Sequence, residues 1–304
     1  MRFAISIPQY ARDSRFDEGA FREHLGRIED LGAFESGWVQ EQVLGAAGSL
    51  AALQTLTYAA ACTDRLRLGC AVFVLPLHNP LHLAKAIGSL DCLSHGRVEV
   101  GFATGGQGRP FAAFGVDPDK PVARFNEALA LMKRCWADPQ IDFDGRWWQL
   151  HGATMEPKPV QQPHPPIWFG GSAPAGMRRA ARHADGFMGA GSQTTARFAD
   201  QVATVREELA AVGRDPAKFR FGKRVYVHVD DDPALAQRRL GDALTHHYGG
   251  GDWSEQMVAG PAQQCAAAIR AVADAGAELI LLNPLADDPR QLERLAAEVI
   301  PALE

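Results

Sequence analysis

The sequence predicts an α/β fold, specifically a closed (β/α)8 TIM barrel, and three observations carry that expectation. Short β-branched runs alternate with stretches of helical periodicity along the chain. Eight such runs can be traced, each trailed by a helical pattern. No GxGxxG opens the first helix, which removes the signature of an open doubly wound sheet, the competing arrangement. A barrel takes about 250 residues. The 304 present therefore leave room for two insertions, Gly105–Pro165 after the fourth strand and roughly His246–Pro261 before the eighth. No repeat, low-complexity tract or linker divides the chain, so residues 1–304 are expected to form one domain.

Phe3–Ile7 reads as the first strand. Asp17 can cap a helix with Phe21, Leu25, Ile28 and Leu31 on one stripe, and Gly32 stops it. Phe34–Gln40 is the second strand, and Leu50, Leu53 and Leu56 lead a helix that ends near Thr63. Leu66–Leu75 is apolar enough to be buried on both faces, as a barrel strand must be. Pro80 suits the first turn of the next helix, whose Leu83, Ile87 and Leu90 share a face. His95-Gly96 then turns the chain into Val98–Ala103, the fourth strand. In the long connection that follows, Phe125, Leu129, Met132 and Trp136 mark a helix, and Asp138–Pro166 is an excursion. Ile167–Phe169 is the fifth strand, with a helix from about Pro174 to Ala184. Gly186–Gly189 is the sixth, followed by a helix carrying Phe198, Val202, Val205 and Leu209. Phe219–Val229 is the seventh, with a helix from near Pro233. Glu278–Leu282 is the eighth, and a last helix covers Gln291–Ile300.

Charge narrows the function classes. A net charge of −5 and a pI near 6.1, with no dominant basic face, disfavour nucleic acid and anionic membranes as partners. No run approaches the ~18 apolar residues of a membrane span, and no secretory leader is recognisable, so a cytoplasmic protein is expected. Cys62, Cys70, Cys92, Cys135 and Cys265 lack CxxC or metal-ligand spacing and read as buried thiols of a reducing compartment. His246 and His247 are adjacent and lack a third ligand, so no metal site is expected.

In a barrel, chemistry gathers at the C-terminal strand ends. Gly170-Gly171-Ser172 closes the fifth strand and opens a helix, and Ala190-Gly191-Ser192, with Thr194 and Thr195, does the same after the sixth. Glycines admit a ligand close to the backbone and helix N-termini attract anions, so the two loops together suit a phosphate. Each serves equally well as a tight βα turn. Glu41, flanked by Gln40 and Gln42, is the best-placed carboxylate, for hydrogen-bonding a cofactor ring or for acid–base work. Leu75-Pro76-Leu77-His78-Asn79-Pro80 ends an apolar strand where a backbone distortion would press a bulge against a flat ring. His78 there reads as a hydrogen-bonding loop residue. Gly249-Gly250-Gly251 suggests a lid. Phe111, Phe114, Trp147, Trp148 and Trp253 suit an apolar or aromatic guest, or the packing of long loops.

Two blocks resemble the luciferase-like monooxygenase family. The first is Leu66–Gly101, through Asn79-Pro80, Leu83-Ala84-Lys85, Leu90-Asp91 and Leu93-Ser94-His95-Gly96-Arg97. The second is Pro157-Lys158-Pro159, Pro163-His164-Pro165-Pro166-Ile167-Trp168-Phe169-Gly170-Gly171 and Ala184-Asp185-Gly186. The likeness extends from Phe3 to Pro301. It implies an oxidoreductase that binds FMN or the deazaflavin coenzyme F-420 at the strand C-termini and acts on a small organic substrate. By the same likeness Gly170, Gly171, Ser172, Gly191 and Ser192 would hold the cofactor phosphate, and Thr104 and Gly105 would flank the ring. A distorted, often cis, non-proline peptide near Phe73, Val74 and Leu75 would support the ring's face. Dimerisation is a family expectation, and a two-component monooxygenase would need a separate reductase. There is one departure: many members carry Asp-His at the end of the second strand, where this chain has Glu41-Gln42. Glu41 can keep the hydrogen-bonding role, but Gln42 cannot shuttle a proton, so no catalytic acid or base is assigned. Two further readings fit the same loops: a non-redox barrel enzyme acting on a phosphorylated metabolite, and a non-catalytic flavin- or F-420-binding protein.

Overall fold

Strands that are apolar on both faces need a closed ring with helices packed outside it, and the backbone adopts that arrangement. The computed structural model describes residues 1–11, 16–45, 48–106, 111–285 and 290–303. Its eight barrel strands are β1 (Arg2–Ser6), β2 (Ser36–Val39), β3 (Arg67–Val74), β4 (Val98–Ala103), β5 (Ile167–Gly170), β6 (Gly186–Gly189), β7 (Arg220–Val229) and β8 (Leu279–Asn283). All pair in parallel with their neighbours in chain order, and β8 returns to β1 with Ile280 beside Phe3. Closure leaves this ring without an edge.

The helices lie where periodicity expects them. α1 (Glu18–Leu31) starts on Asp17, whose carboxylate accepts the Ala20 N–H at 3.0 Å, and stops at Gly32 with φ 63°. α2 spans Ala52–Cys62, and α3 (Pro80–Leu93) is capped by Asn79, which accepts from Leu81 and His82. α4 (Pro121–Ala137), α5 (Pro174–His183), α6 (Thr195–Ala211) and α7 (Pro233–Tyr248) follow. Among the elements unread in the sequence, a hairpin, a short strand and a helix stand out. An antiparallel hairpin, Ile141–Asp144 with Gln149–Ala153, fills the first insertion, of which residues 107–110 lie outside the described set. A short strand, Met257–Gly260, pairs with the far end of β7, and α8 (Ala262–Asp274) buries Cys265, Ala266, Ile269 and Val272. The second insertion also begins later than expected, because His246, His247 and Tyr248 form the last turn of α7 and the chain leaves it at Gly249. α9 (Arg290–Arg294) runs on into a π-helical turn, Leu295–Val299. Among the described residues no helix is long and apolar enough to cross a membrane.

Inside the barrel, Ala4, Trp38, Ala71, Trp168, Met188, Leu279 and Leu281 form one cluster. Its centre is an edge-to-face pair, Trp38 and Trp168, with ring centroids 5.9 Å apart. Two indoles in one barrel leave no space for side chains beside them. A Cβ at Gly69 would lie 2.3 Å from the Trp38 ring, and one at Gly186 2.6 Å from Trp168. Both indole N–H groups are satisfied: Trp38 donates to Ser36 Oγ at 2.9 Å and Trp168 to Glu99 at 2.6 Å. The second oxygen of the buried Glu99 accepts from Arg67 at 2.6 Å, so the carboxylate is not left unpaired.

At the opposite end, the N-terminal rim, Arg97 ties three segments together. Its guanidinium donates to the carbonyls of Ala60, Thr63, Leu66 and Ser94 and to the Thr63 hydroxyl, at 2.7–3.0 Å. Asp91 accepts the Gln161 N–H at 2.9 Å and its side-chain amide at 2.7 Å, while Lys158 reaches the carbonyls of Cys135 and Asp138. These contacts join the Pro-rich connector to α3 and α4. Packing at the core centre generates a paired test. Gly69→Ala should destabilise the protein by about 1–3 kcal/mol through overpacking against Trp38. Gly26→Ala, on α1 with open space around its Cβ position, should stabilise by about 0.5–1 kcal/mol. Urea midpoints that move together would refute the packing account.

Candidate functional site

The strand C-termini converge on one mouth, and its floor is a distortion of β3. The β3–β4 register shifts between Cys70 and Phe73, and the Ala71–Val72 peptide is cis. Val72 stands out from the strand towards β4 and β5. A Cβ at Gly101 would lie 2.4 Å from the Cys70 carbonyl and 3.0 Å from Val72 Cγ1, and one at Gly170 3.0 Å from Val72 Cγ1, so β4 and β5 each carry a glycine where the bulge comes close. This corrects the expected position near Phe73, Val74 and Leu75 by one to three residues. Val74 and Leu75 are buried, Leu75 in the main core cluster and Val74 with its backbone N–H given to Glu41. The bulge forms where glycines leave space above it, and beside Phe73 the space is already taken by Phe102.

Glu41 is brought to that distortion. One carboxylate oxygen accepts the Val74 N–H at 2.7 Å and the other meets His78 Nε2 at 2.7 Å. The Glu41 side chain is only 7% exposed and that of His78 24%, so the imidazole is the more accessible member. A carboxylate that fixes an imidazole by one ring nitrogen leaves the other for proton exchange. The pair is assembled from residues in two separate loops. Gln42, next in sequence to Glu41, has no part in it.

Gly170 lies beside Met188 across β5 and β6, which puts the two glycine loops next to each other. Gly171 has φ 150°, a conformation L side chains rarely take, and nothing stands within 4 Å of where its Cβ would be. Ser172 is exposed, and Ala173 gives α5 no side-chain cap. Beside Gly171 there is thus open space at an uncapped helix start, as an anion requires. The second loop is built differently. Thr194 caps α6 through its hydroxyl, and Gly191 is buried where a Cβ would lie 2.5 Å from the Tyr226 ring. Ser192 remains half-exposed. Thr104 and Gly105, half-exposed at the end of β4, complete this side of the mouth.

Two cations in β7 escaped the sequence reading, although a Lys-Arg pair inside an otherwise apolar strand was the available signal. Lys223 is buried and donates to the carbonyls of Ala190 at 2.7 Å, Gln193 at 2.9 Å and Arg224 at 3.1 Å, which cinches the Gly191-Ser192 loop. Burial, with the adjacent Arg224 charge, pulls its pKa down to about 7. Arg224 points the other way, into the barrel, and its Nη2 donates to the carbonyl of Ala71 on the facing strand at 2.6 Å. Around it stand Tyr10, Tyr226, His247, Tyr248 and Trp253. Burial raises the Tyr10 phenol to about 12 despite the nearby Arg224. Of the insertion aromatics, Trp253 joins this wall. Trp147 and Trp148 instead carry Arg146 and Arg124 on their faces, and Glu127 holds their backbone N–H groups. Phe111 is buried and Phe114 half-buried.

A closed parallel barrel whose bulged third strand faces an open glycine loop can hold a cofactor at its mouth. The chain belongs to the luciferase-like monooxygenase family, whose model matches residues 1–279. It is 28% identical to the F-420-dependent glucose-6-phosphate dehydrogenase of Kineococcus radiotolerans, over 98% of this chain and 97% of that one. Among solved structures, the monooxygenase RslO1 from Streptomyces bottropensis superposes with a TM-score of 0.87 at 24% identity, over all of both chains. An F-420-dependent secondary alcohol dehydrogenase in complex with an F-420–acetone adduct gives 0.85 at 20%, over 100% of this chain and 99% of that one. At those identities the two structures speak for the fold.

Lys223 makes the β6 loop sensitive to pH in a stated direction. Its folded pKa near 7 lies below the ordinary lysine value of 10.5, so between those values the unfolded chain holds the extra proton. Stability should therefore rise with pH across that window, relative to Lys223→Met, by on the order of a few kcal/mol. Urea unfolding of both proteins at pH 7 and pH 9.5 measures it, and parallel profiles would remove the assignment.

Proposed function

We propose that the chain is an F-420-dependent oxidoreductase that moves a hydride between the deazaflavin and a small organic substrate with an apolar or aromatic body. The observation that carries this reading is the pairing, in one mouth, of the open Gly171 loop with the protruding Val72: one place for an anionic tail and one for a flat ring. F-420 is preferred to FMN because two relatives matched over nearly their full length, the one above and one from Intrasporangium calvum, are F-420-dependent dehydrogenases.

In this reading Gly170, Gly171, Ser172 and Ser192 hold the phosphate, with Gly191 setting the height of its loop over Tyr226. Val72 backs the ring, and Thr104 and Gly105 border it. Bound there, the coenzyme supplies or accepts the hydride. Glu41, accepting from His78 Nε2, leaves Nδ1 of the imidazole to give or take the proton that accompanies transfer at a substrate oxygen. His78 thus fills the role that Gln42 cannot. Residues 1–304 act as one domain, in a cytoplasmic homodimer that draws reduced cofactor from a separate reductase.

Titration of the purified apo-protein with F-420 and with FMN, followed by fluorescence, tests the cofactor. F-420 should bind at least tenfold more tightly, and Gly171→Asp should weaken it at least tenfold, about 1.4 kcal/mol. Binding of neither cofactor discards the reading, and an unaffected Gly171→Asp discards the cradle. His78→Gln should lower kcat by roughly 10²–10⁴-fold at unchanged F-420 affinity. Full turnover in that variant would take the proton-transfer role from His78.

A further inference from the structure

Arg224 is a buried cation that no described residue neutralises. It is 7% exposed, its Nη2 is used by the Ala71 carbonyl, and its guanidinium lies against the Tyr226 hydroxyl. Its Nε is buried with no acceptor. Among the described residues no carboxylate comes within ion-pair distance of it. The titratable groups that sense its charge are Lys223, Cys70, Tyr10, Tyr226 and His247, and none of them carries a negative charge near neutral pH. A buried charge without a counter-charge is costly enough that folds rarely keep one unless something else supplies the opposite sign.

The surroundings of Arg224 are also incomplete. Asn283 stands beside Tyr226 across β7 and β8, and its buried Nδ2 has no acceptor. Trp253 Nε1, above them in the second insertion, is a third buried donor without a partner. Buried donors are nearly always satisfied in a native protein. Here three fail on one side of one mouth, and all three call for an acceptor. Aromatic rings close that side: Tyr10 meets His247 at 5.1 Å, His247 meets Tyr248 at 4.6 Å, and Tyr248 meets Trp253 at 5.1 Å. Tyr248, hydroxyl-bonded to Tyr226, is 42% exposed, so the wall reaches solvent. The group lies on β7, β8 and the segment after β1, whereas the glycine loops follow β5 and β6.

We propose that this half of the mouth is an anion-recognising substrate pocket. The substrate sets one oxyanion, a carboxylate or a phosphate, against Arg224 and Asn283, and an aromatic or unsaturated body against Tyr10, His247, Tyr248 and Trp253. The inference rests on reading the mouth as an oxidoreductase site and names the substrate class of that site: organic acids or phosphate esters rather than wholly apolar molecules.

The test follows tryptophan fluorescence while wild-type protein is titrated with benzoate, phenyl phosphate and benzyl alcohol. At least one anion should bind tenfold or more tightly than the alcohol. Benzoate in the lead assigns a carboxylate substrate, and phenyl phosphate in the lead a phosphate ester. Arg224→Met should erase the preference, and Asn283→Leu, which keeps the charge, should reduce it severalfold. An alcohol that binds as tightly as both anions overturns the proposal in the wild type alone, without reliance on any variant. A preference that survives Arg224→Met overturns it too. The oxidoreductase reading is judged separately by the cofactor titration: anion preference in a protein that takes neither F-420 nor FMN would keep this pocket and discard that reading.

Discussion

The volume inside a closed eight-stranded ring is fixed, and in this protein two tryptophans claim its centre. Everything above and below adjusts to that. Gly69 and Gly186 lack side chains because the Trp38 and Trp168 rings occupy those positions. Glu99 is buried because the Trp168 indole needs an acceptor, and Arg67 reaches in because Glu99 then needs a cation. A usual barrel core stacks branched aliphatic residues in layers. Here a smaller number of large rings does the filling, and the demand for small residues passes to the neighbouring strands. The same rule holds one level higher, where Gly101 and Gly170 make room for the bulge at Cys70 and Val72. The barrel is therefore solid at its middle and stepped at its mouth.

The second constraint is charge. Alternation along β7 sends Lys223 and Arg224 to opposite faces of the sheet. Lys223 finds three carbonyls and closes a loop with them, while Arg224 crosses to Ala71 and keeps an unused donor. Two buried cations side by side repel, which is part of what lowers the Lys223 pKa. A strand under no functional demand would place apolar residues at both positions, as β3 and β8 largely do. The first cation shapes the loop that follows β6, and the second charges the floor of the mouth.

Much of the fold was legible because its signals are local. Asp17 and Gly32 bound α1 as read, and Val98–Ala103 matches β4 to the residue. What escaped depends on partners distant in sequence. The hairpin's first strand alternates but is only four residues long, and its second, Gln149–Ala153, shows no clean alternation. The bulge in β3 was displaced because an apolar run does not reveal where its neighbours leave room. Gly101 and Gly170, on other strands, decide that. Glu41 and His78 were each noticed alone, as a carboxylate and a loop histidine, but 37 residues separate them and no spacing rule joins residues of different βα loops. Arg224 was hidden by its context, an apolar strand in which a cation attracts attention only once it is seen that no described carboxylate pairs with it.

The residues that make the family recognisable and those that face the ligand are largely different sets. Asp91, Arg97 and Lys158, central to the two resembling blocks, hold the N-terminal rim and the connector together. That end of a barrel serves stability, while the opposite end serves chemistry. Of the resembling blocks, Val72 and His78 in the first and Gly170-Gly171 in the second reach the mouth. A motif therefore reports the scaffold and the cofactor's anchor, because those demands are common to any occupant of the barrel. The residues argued above to meet the substrate, Arg224 and Asn283, lie outside both blocks. Unsatisfied donors and an unpaired charge are then the features that sequence similarity does not report, since a buried group without a partner calls for an explanation.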